Sequence, residues 1–142
     1  MIRKITVCSL IIIVAVTSMA LGQNRRGNVS GSNFENEPLS RSASEKKILA
    51  VLDEMGKDRS RRFLSVSQSD GRLLRQLAET ARAKHVVEVG TSTGYSGLWF
   101  ALALKATGGK LTTFEIDPGR AQTAKENFRK AGVDNIVTVI FG

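Results

Sequence analysis

The chain is poor in several residue types that announce common chemistries: it has one cysteine, one histidine, one tryptophan and one tyrosine in 142 residues. The single cysteine, Cys8, lies in an apolar N-terminal segment that reads as a removable leader. A mature chain without it has neither a disulfide framework nor a thiol nucleophile. The single histidine, His85, precedes a predicted strand and reads as a surface residue rather than a catalytic one. The longest apolar run, Ile5 to Val16, falls short of the roughly 20 residues that a membrane-spanning helix needs. There is no internal repeat and no recognisable nucleic-acid motif. Acidic residues are the minority, 13 against 21 Lys and Arg, an excess of 8 positive charges. The densest basic cluster, Arg59, Arg61 and Arg62, has no interleaved aromatics beyond Phe63, so it reads as a solvated face and no nucleic-acid partner is expected.

What is present begins with the layout of a secretory signal over residues 1–22: Arg3 and Lys4, the apolar run, then small residues at Ser18, Ala20 and Gly22. Cleavage after Ala20 or Gly22 fits this pattern and predicts a secreted or periplasmic protein; an uncleaved segment would instead anchor the chain in a membrane. Residues 23–41 are polar, rich in Gly, Ser and Asn, and without period, which predicts a disordered linker. Asn28-Val29-Ser30 matches a glycosylation sequon, for which chance is the default explanation.

From Ser42 the pattern changes. Ser42 and Glu45 stand at capping-box spacing before a helical stripe of Ile48, Val51, Leu52 and Met55. A second helix is predicted near 69–83, with Asp70 as cap and Leu73, Leu74, Leu77, Ala78 and Ala81 as the buried stripe. Then come a β-branched run (HVVEVG), a helix (YSGLWFALALKA), a strand (KLTTFEI), a helix (DPGRAQTAKENFRKAG) and a strand (NIVTVIF). Asp117 caps the last of these helices, Pro118 opens it and Gly132 ends it. Strands alternating with helices predict an α/β fold with a parallel sheet and right-handed crossovers. Trp99 and Phe100 read as core, whereas Tyr95 is open to either a core or a ligand role.

In such a sheet ligands sit beyond the carboxyl ends of the strands. The first strand runs into Gly90, Gly94 and Gly97 and then a helix, so the backbone can turn sharply and offer unpaired N–H groups, with Ser96 adding a hydroxyl. Glycines alone make only a turn. Glu88, however, places a carboxylate among valines, which is unfavourable unless it meets a partner or a ligand. Glu115, 25 residues after Gly90, stands near the end of the next strand, where nucleoside-binding α/β units place the acid that accepts ribose hydroxyls. A dinucleotide fingerprint would need glycine at 92 and 95, where the chain has Ser92 and Tyr95, and no phosphate-loop Gly-Lys-Ser/Thr follows.

The string E-x-G-x-x-x-G-Y-S from Glu88 to Ser96, followed by LTTFEIDPGRAQTAKENFRKAGV, resembles the first two motifs of class I S-adenosylmethionine-dependent methyltransferases. It is most similar to O-methyltransferases of the catechol and caffeoyl-CoA type, from about Phe63 onward, and FLSVSQSDGRLL is similar to their lead-in segment. The resemblance implies a Rossmann-like methyltransferase fold in residues 42–142, preceded by two helices and carrying three of the usual seven strands, hence a truncated, N-terminal part. It implies S-adenosylmethionine as cofactor. Val66 would contact it, Glu88 would engage the methionine amino group, and Gly90 and Ser92 would line the loop. Ser96 would hold the methionine carboxylate, Glu115 the ribose diol, and Ile116 would lie against the adenine.

It further implies transfer of a methyl group to a hydroxyl of a small, catechol-like acceptor, with a divalent metal only in a full-length form, and it allows a homodimer. No catalytic base or metal ligand is identified in this sequence. The alternatives are a nicotinamide-dependent oxidoreductase fragment and a non-catalytic remnant that binds a nucleoside or a partner through its open sheet edge.

Overall fold

The alternation that starts at Ser42 is realised in a computed structural model that describes residues 38–57 and 65–142. The leader, most of the linker, the sequon and the Arg59–Arg62 cluster lie outside the described residues. The elements run α1 (Ala43–Lys57), α2 (Gln68–Thr80), β1 (His85–Val89), α3 (Tyr95–Thr107), β2 (Lys110–Glu115), α4 (Pro118–Ala131) and β3 (Val137–Phe141). The three strands form one parallel sheet in the order β1-β2-β3. This is the parallel α/β arrangement anticipated from the strand and helix pattern, and it agrees with the Rossmann-like fold that the resemblance implies.

Register explains which side chains face the helices. Val86, Leu111 and Val137 stand side by side in one row, and Glu88, Thr113 and Val139 in the next row on that face. All but the half-buried Val139 are buried. On the opposite face, the row that follows, Val89, Phe114 and Ile140, is exposed or half-buried. Parallel sheets are usually covered on both faces. Among the described residues only one face is.

On that covered face α3 is the central element. Every residue from Gly97 to Leu104 is buried, which accounts for a helix that is apolar all round instead of striped. It packs against the sheet on one side and against α2 and α1 on the other. Ile48, Val51 and Leu52 of α1 enter the same core, and Met55 packs against it.

Two helix starts differ from the sequence expectation. Ser67, not Asp70, caps α2: its hydroxyl accepts from the Asp70 N–H at 3.1 Å while the Asp70 carboxylate accepts from the Ser67 N–H at 3.3 Å. This reciprocal arrangement satisfies two backbone donors where Asp70 as cap would satisfy one. At α1, Ser42 does accept from the Glu45 N–H at 3.2 Å, but the Glu45 carboxylate reaches back to the Arg41 N–H at 2.9 Å and pairs with Arg75 at 3.2 Å.

That ion pair turns α2. Its buried side is Gly71, Arg75 and Ala78, and Leu73 and Leu77 are left half exposed, against the stripe expected from the leucines. Arg75 lies between Glu45 and Glu79, so its buried charge has partners on two helices. Gly71 lets the α2 backbone lie against the Trp99 indole. A methyl group there would come within 2.2 Å of the ring.

This packing predicts opposite effects for two alanine substitutions. Gly71→Ala forces the buried Trp99 to shift and lowers stability by about 1–3 kcal/mol. Gly56→Ala, at an exposed position of α1 with nothing within 4 Å, raises stability by up to about 1 kcal/mol. Urea denaturation of both variants measures the pair. Equal effects would contradict the close α2–α3 approach.

Candidate binding site at the glycine turn

The turn from Gly90 to Gly94 is tied to β2 at its first step, where the N–H groups of Gly90 and Thr91 both donate to the Phe114 carbonyl at 2.9 and 3.0 Å. Gly90 has φ +93° and Gly94 has φ +92°, backbone that favours glycine. Gly97 is required by approach, since a Cβ there would lie 2.7 Å from the Phe128 ring of α4. Ser92 holds φ +50° without being glycine, a strained conformation that its surroundings must enforce. The enforcing group is Glu115, whose Oε2 accepts the Ser92 N–H at 2.7 Å.

Glu115 is 5% exposed and has two more partners, both on Oε1: the Asp117 N–H at 3.0 Å and the Arg120 guanidinium at 3.3 Å. Asp117 performs the capping role expected of it, accepting the Arg120 N–H at 2.7 Å. From the other side α4 reaches the turn through Asn127, whose Nδ2 donates to the Thr93 carbonyl at 2.9 Å.

Glu88 lies two residues before the turn and is 2% exposed. Its Oε1 accepts the Ser96 hydroxyl at 2.5 Å and its Oε2 the Thr113 hydroxyl at 2.6 Å. With its proton given to Glu88, Thr113 accepts from Thr91 at 2.5 Å. Two hydroxyls thus bond one buried carboxylate directly, and a third, that of Thr91 in the turn, reaches it through Thr113. Burial pushes the Glu88 carboxyl above the ordinary glutamate range, and the hydrogen bonds from Ser96 and Thr113 oppose that rise.

The expected residues therefore separate into groups. Glu88, Gly90, Ser92, Ser96 and Glu115 are brought together around the turn. Ile116 is 76% exposed at the end of β2. Val66 lines a cavity of about 1030 Å³ with Leu52, Met55, Tyr95 and Trp99, which shares Thr93 and Tyr95 with the turn region but touches neither acid. Tyr95 is resolved towards the core: its ring meets Trp99 edge-on, centroids 6.4 Å apart at 76°. His85 is exposed, with Nε2 2.9 Å from the Thr112 hydroxyl. Thr91, Thr113, Arg120 and Asn127 join the site without having been expected there. The available signal was the threonine pair of LTTFEI, since Thr113 shares the strand face of Glu115 two residues on.

The raised Glu88 pKa has a sign that can be checked. Its folded value lies above its unfolded one, so its contribution to stability is complete below the unfolded range and is lost as pH rises through the folded value. Glu88→Gln removes that loss. The melting temperature of the variant relative to the parent should climb as pH rises from about 4.3 and then level off, a tenfold difference in proton affinity between folded and unfolded chain being worth about 1.4 kcal/mol. A difference that does not vary with pH would rule out a desolvated carboxyl.

This geometry can be set beside known proteins. Residues 39–142 match the family described as O-methyltransferase. A catechol O-methyltransferase of Niastella koreensis is 40% identical over 79 residues, 56% of this chain and 35% of that one. A putative O-methyltransferase of Mycobacterium sp. (strain KMS) is 39% identical over 92 residues, 65% of this chain and 40% of that one. Among solved structures, the O-methyltransferase from Bacillus cereus in complex with SAH has a TM-score of 0.55 at 27% identity, covering 73% of this chain and 45% of that one. TomG from Streptomyces achromogenes, in complex with SAM, has a TM-score of 0.54 at 31% identity, covering 72% and 44%. The chain spans less than half the length of these proteins. With a family match running from residue 39 to residue 142 over a parallel sheet and its glycine turn, the chain belongs to the class I S-adenosylmethionine-dependent O-methyltransferase family.

Proposed function

We propose that residues 39–142 bind S-adenosylmethionine as the cofactor-holding part of an O-methyltransferase whose acceptor is a hydroxyl on a small, catechol-like molecule. One observation carries the reading: two buried carboxylates on adjacent strands bracket a single glycine turn, one beneath its start and one against its middle. The cofactor supplies an electrophilic methyl group on a sulfonium. It has no phosphate, and presents an amino acid, a cation, a diol and a purine. Glu115 stands at the strand end where a diol is accepted.

Glu88 is sealed under the turn and so acts on the amino-acid end through Ser96, whose hydroxyl it holds. Gly90 and Ser92 provide the backbone surface, and Ile116 offers an exposed apolar side chain for the purine. Val66 borders the neighbouring cavity, where an acceptor or the methionine chain could be covered. The donor set fits the cofactor. Among the described residues no group of three His, Cys, Asp or Glu could hold a metal ion, so no step is assigned to one. The homologues named as catechol O-methyltransferases support the acceptor class.

Calorimetric titration tests this. S-adenosylhomocysteine should bind the 142-residue chain and NAD should not. Glu115→Gln should weaken binding by about tenfold or more, the scale of a hydrogen bond to a charged group. Wild type and variant binding alike, with unchanged melting temperatures, would overturn the assignment. Export by residues 1–22 belongs to the same proposal. Its check is the first residue of the exported chain, Leu21 or Gln23.

A further inference from the structure

Glu115 is already occupied. A carboxylate offers about four lone-pair sites. Three face partners here: Oε2 takes the Ser92 N–H, and Oε1 takes the Asp117 N–H and faces the Arg120 guanidinium. A ribose diol brings two O–H donors, one for each oxygen. Oε2 has room and Oε1 does not, so one partner of Oε1 must leave when the diol arrives.

The two partners differ in what holds them. The Asp117 N–H belongs to backbone fixed by the N-terminus of α4, where Asp117 is the cap. The Arg120 contact, at 3.3 Å, lies beyond the usual N–H···O range of about 2.7–3.2 Å. Its side chain is 36% exposed and is free to rotate outward. Moreover Arg120 Nε is buried without a hydrogen-bond partner. Such a donor is unfavourable where it is, and outward movement lets water satisfy it.

We infer that Arg120 is an internal competitor of the cofactor ribose: it occupies Glu115 Oε1 in the free protein and must yield it to a ribose hydroxyl, and so sets cofactor affinity. This rests on the reading of Glu115 as the ribose-binding acid. The competition also gives the free protein a closed arrangement, in which Glu115 holds Ser92 in its strained conformation with its own charge neutralised by Arg120. The turn is thereby kept in place before any ligand comes.

The test compares two ligands on the 142-residue chain and its Arg120→Met and Arg120→Lys variants, by calorimetry with melting temperatures as the folding control. The ligands are S-adenosylhomocysteine and its 2′,3′-dideoxy analogue. Arg120→Met should bind S-adenosylhomocysteine about three- to tenfold more tightly, the worth of one net hydrogen bond. Arg120→Lys, which keeps the charge without the planar fork, should fall between variant and parent. The dideoxy analogue has no hydroxyl to compete for Oε1 and should show no gain in any variant. No tightening with the diol ligand, or an equal gain with both ligands, would overturn the inference, because a general charge effect does not depend on the hydroxyls. A parent chain that fails to bind S-adenosylhomocysteine at all would instead overturn the cofactor reading and take this inference with it.

Discussion

Two carboxylates buried on the same face of adjacent parallel strands, two residues apart in register, must be satisfied, and the structure around the glycine turn follows from how that is done. An unpaired buried carboxylate is unfavourable by several kcal/mol. Glu88 and Glu115 avoid this by drawing in the residues between them. Ser96 and Thr113 donate to Glu88, while Ser92 and Asp117 donate to Glu115 and Arg120 faces it as an ion pair. The turn is suspended between two anchors of the same sign, and its conformation is fixed at both ends. Breaking either anchor leaves a buried charge, so the loop is held more firmly than its glycines would suggest.

The elements that could be read from the sequence are those whose local signals agree with one another. Asp117, Pro118 and Gly132 mark both ends of α4, and the fully apolar run of α3 announces a helix with no solvent side. The acids could be read as well, because a glutamate among valines contradicts its surroundings. What could not be read depends on distance in sequence. Thr113 becomes the partner of Glu88 only through the register that sets the two side by side. The orientation of α2 misleads for the same reason: its leucines describe a stripe, but Gly71 and Arg75 face inward because of Trp99 and Glu45, residues of other helices.

The sheet has two unlike faces, and this limits where a ligand can be recognised. On the helix side the row Glu88, Thr113 and Val139 leads up to the turn; on the other side Val89, Phe114 and Ile140 are apolar and at least partly exposed. Both acids belong to the helix side. Polar recognition is therefore concentrated where α3 and α4 begin, and α4 contributes to it twice, through Arg120 at its first turn and Asn127 two turns on. The helix that holds the turn through Asn127 also supplies the cation that faces Glu115.

The sign of the site argues for the ligand. A helix N-terminus favours an anion, and on its own the start of α3 would suit a phosphate. Here that positive end sits between two carboxylates, one directly bonded to Ser96 in its first turn. A pyrophosphate would bring two negative charges towards Glu88 and Glu115, and the guanidinium of Arg120 that could offset them is engaged. Under the proposed function, a ligand that carries its own sulfonium and ammonium meets the acids with opposite charge, and its single carboxylate is left for the helix end. Within that reading, the carboxylates that hold the turn in shape are also what turns a general anion site into one for a cationic nucleoside.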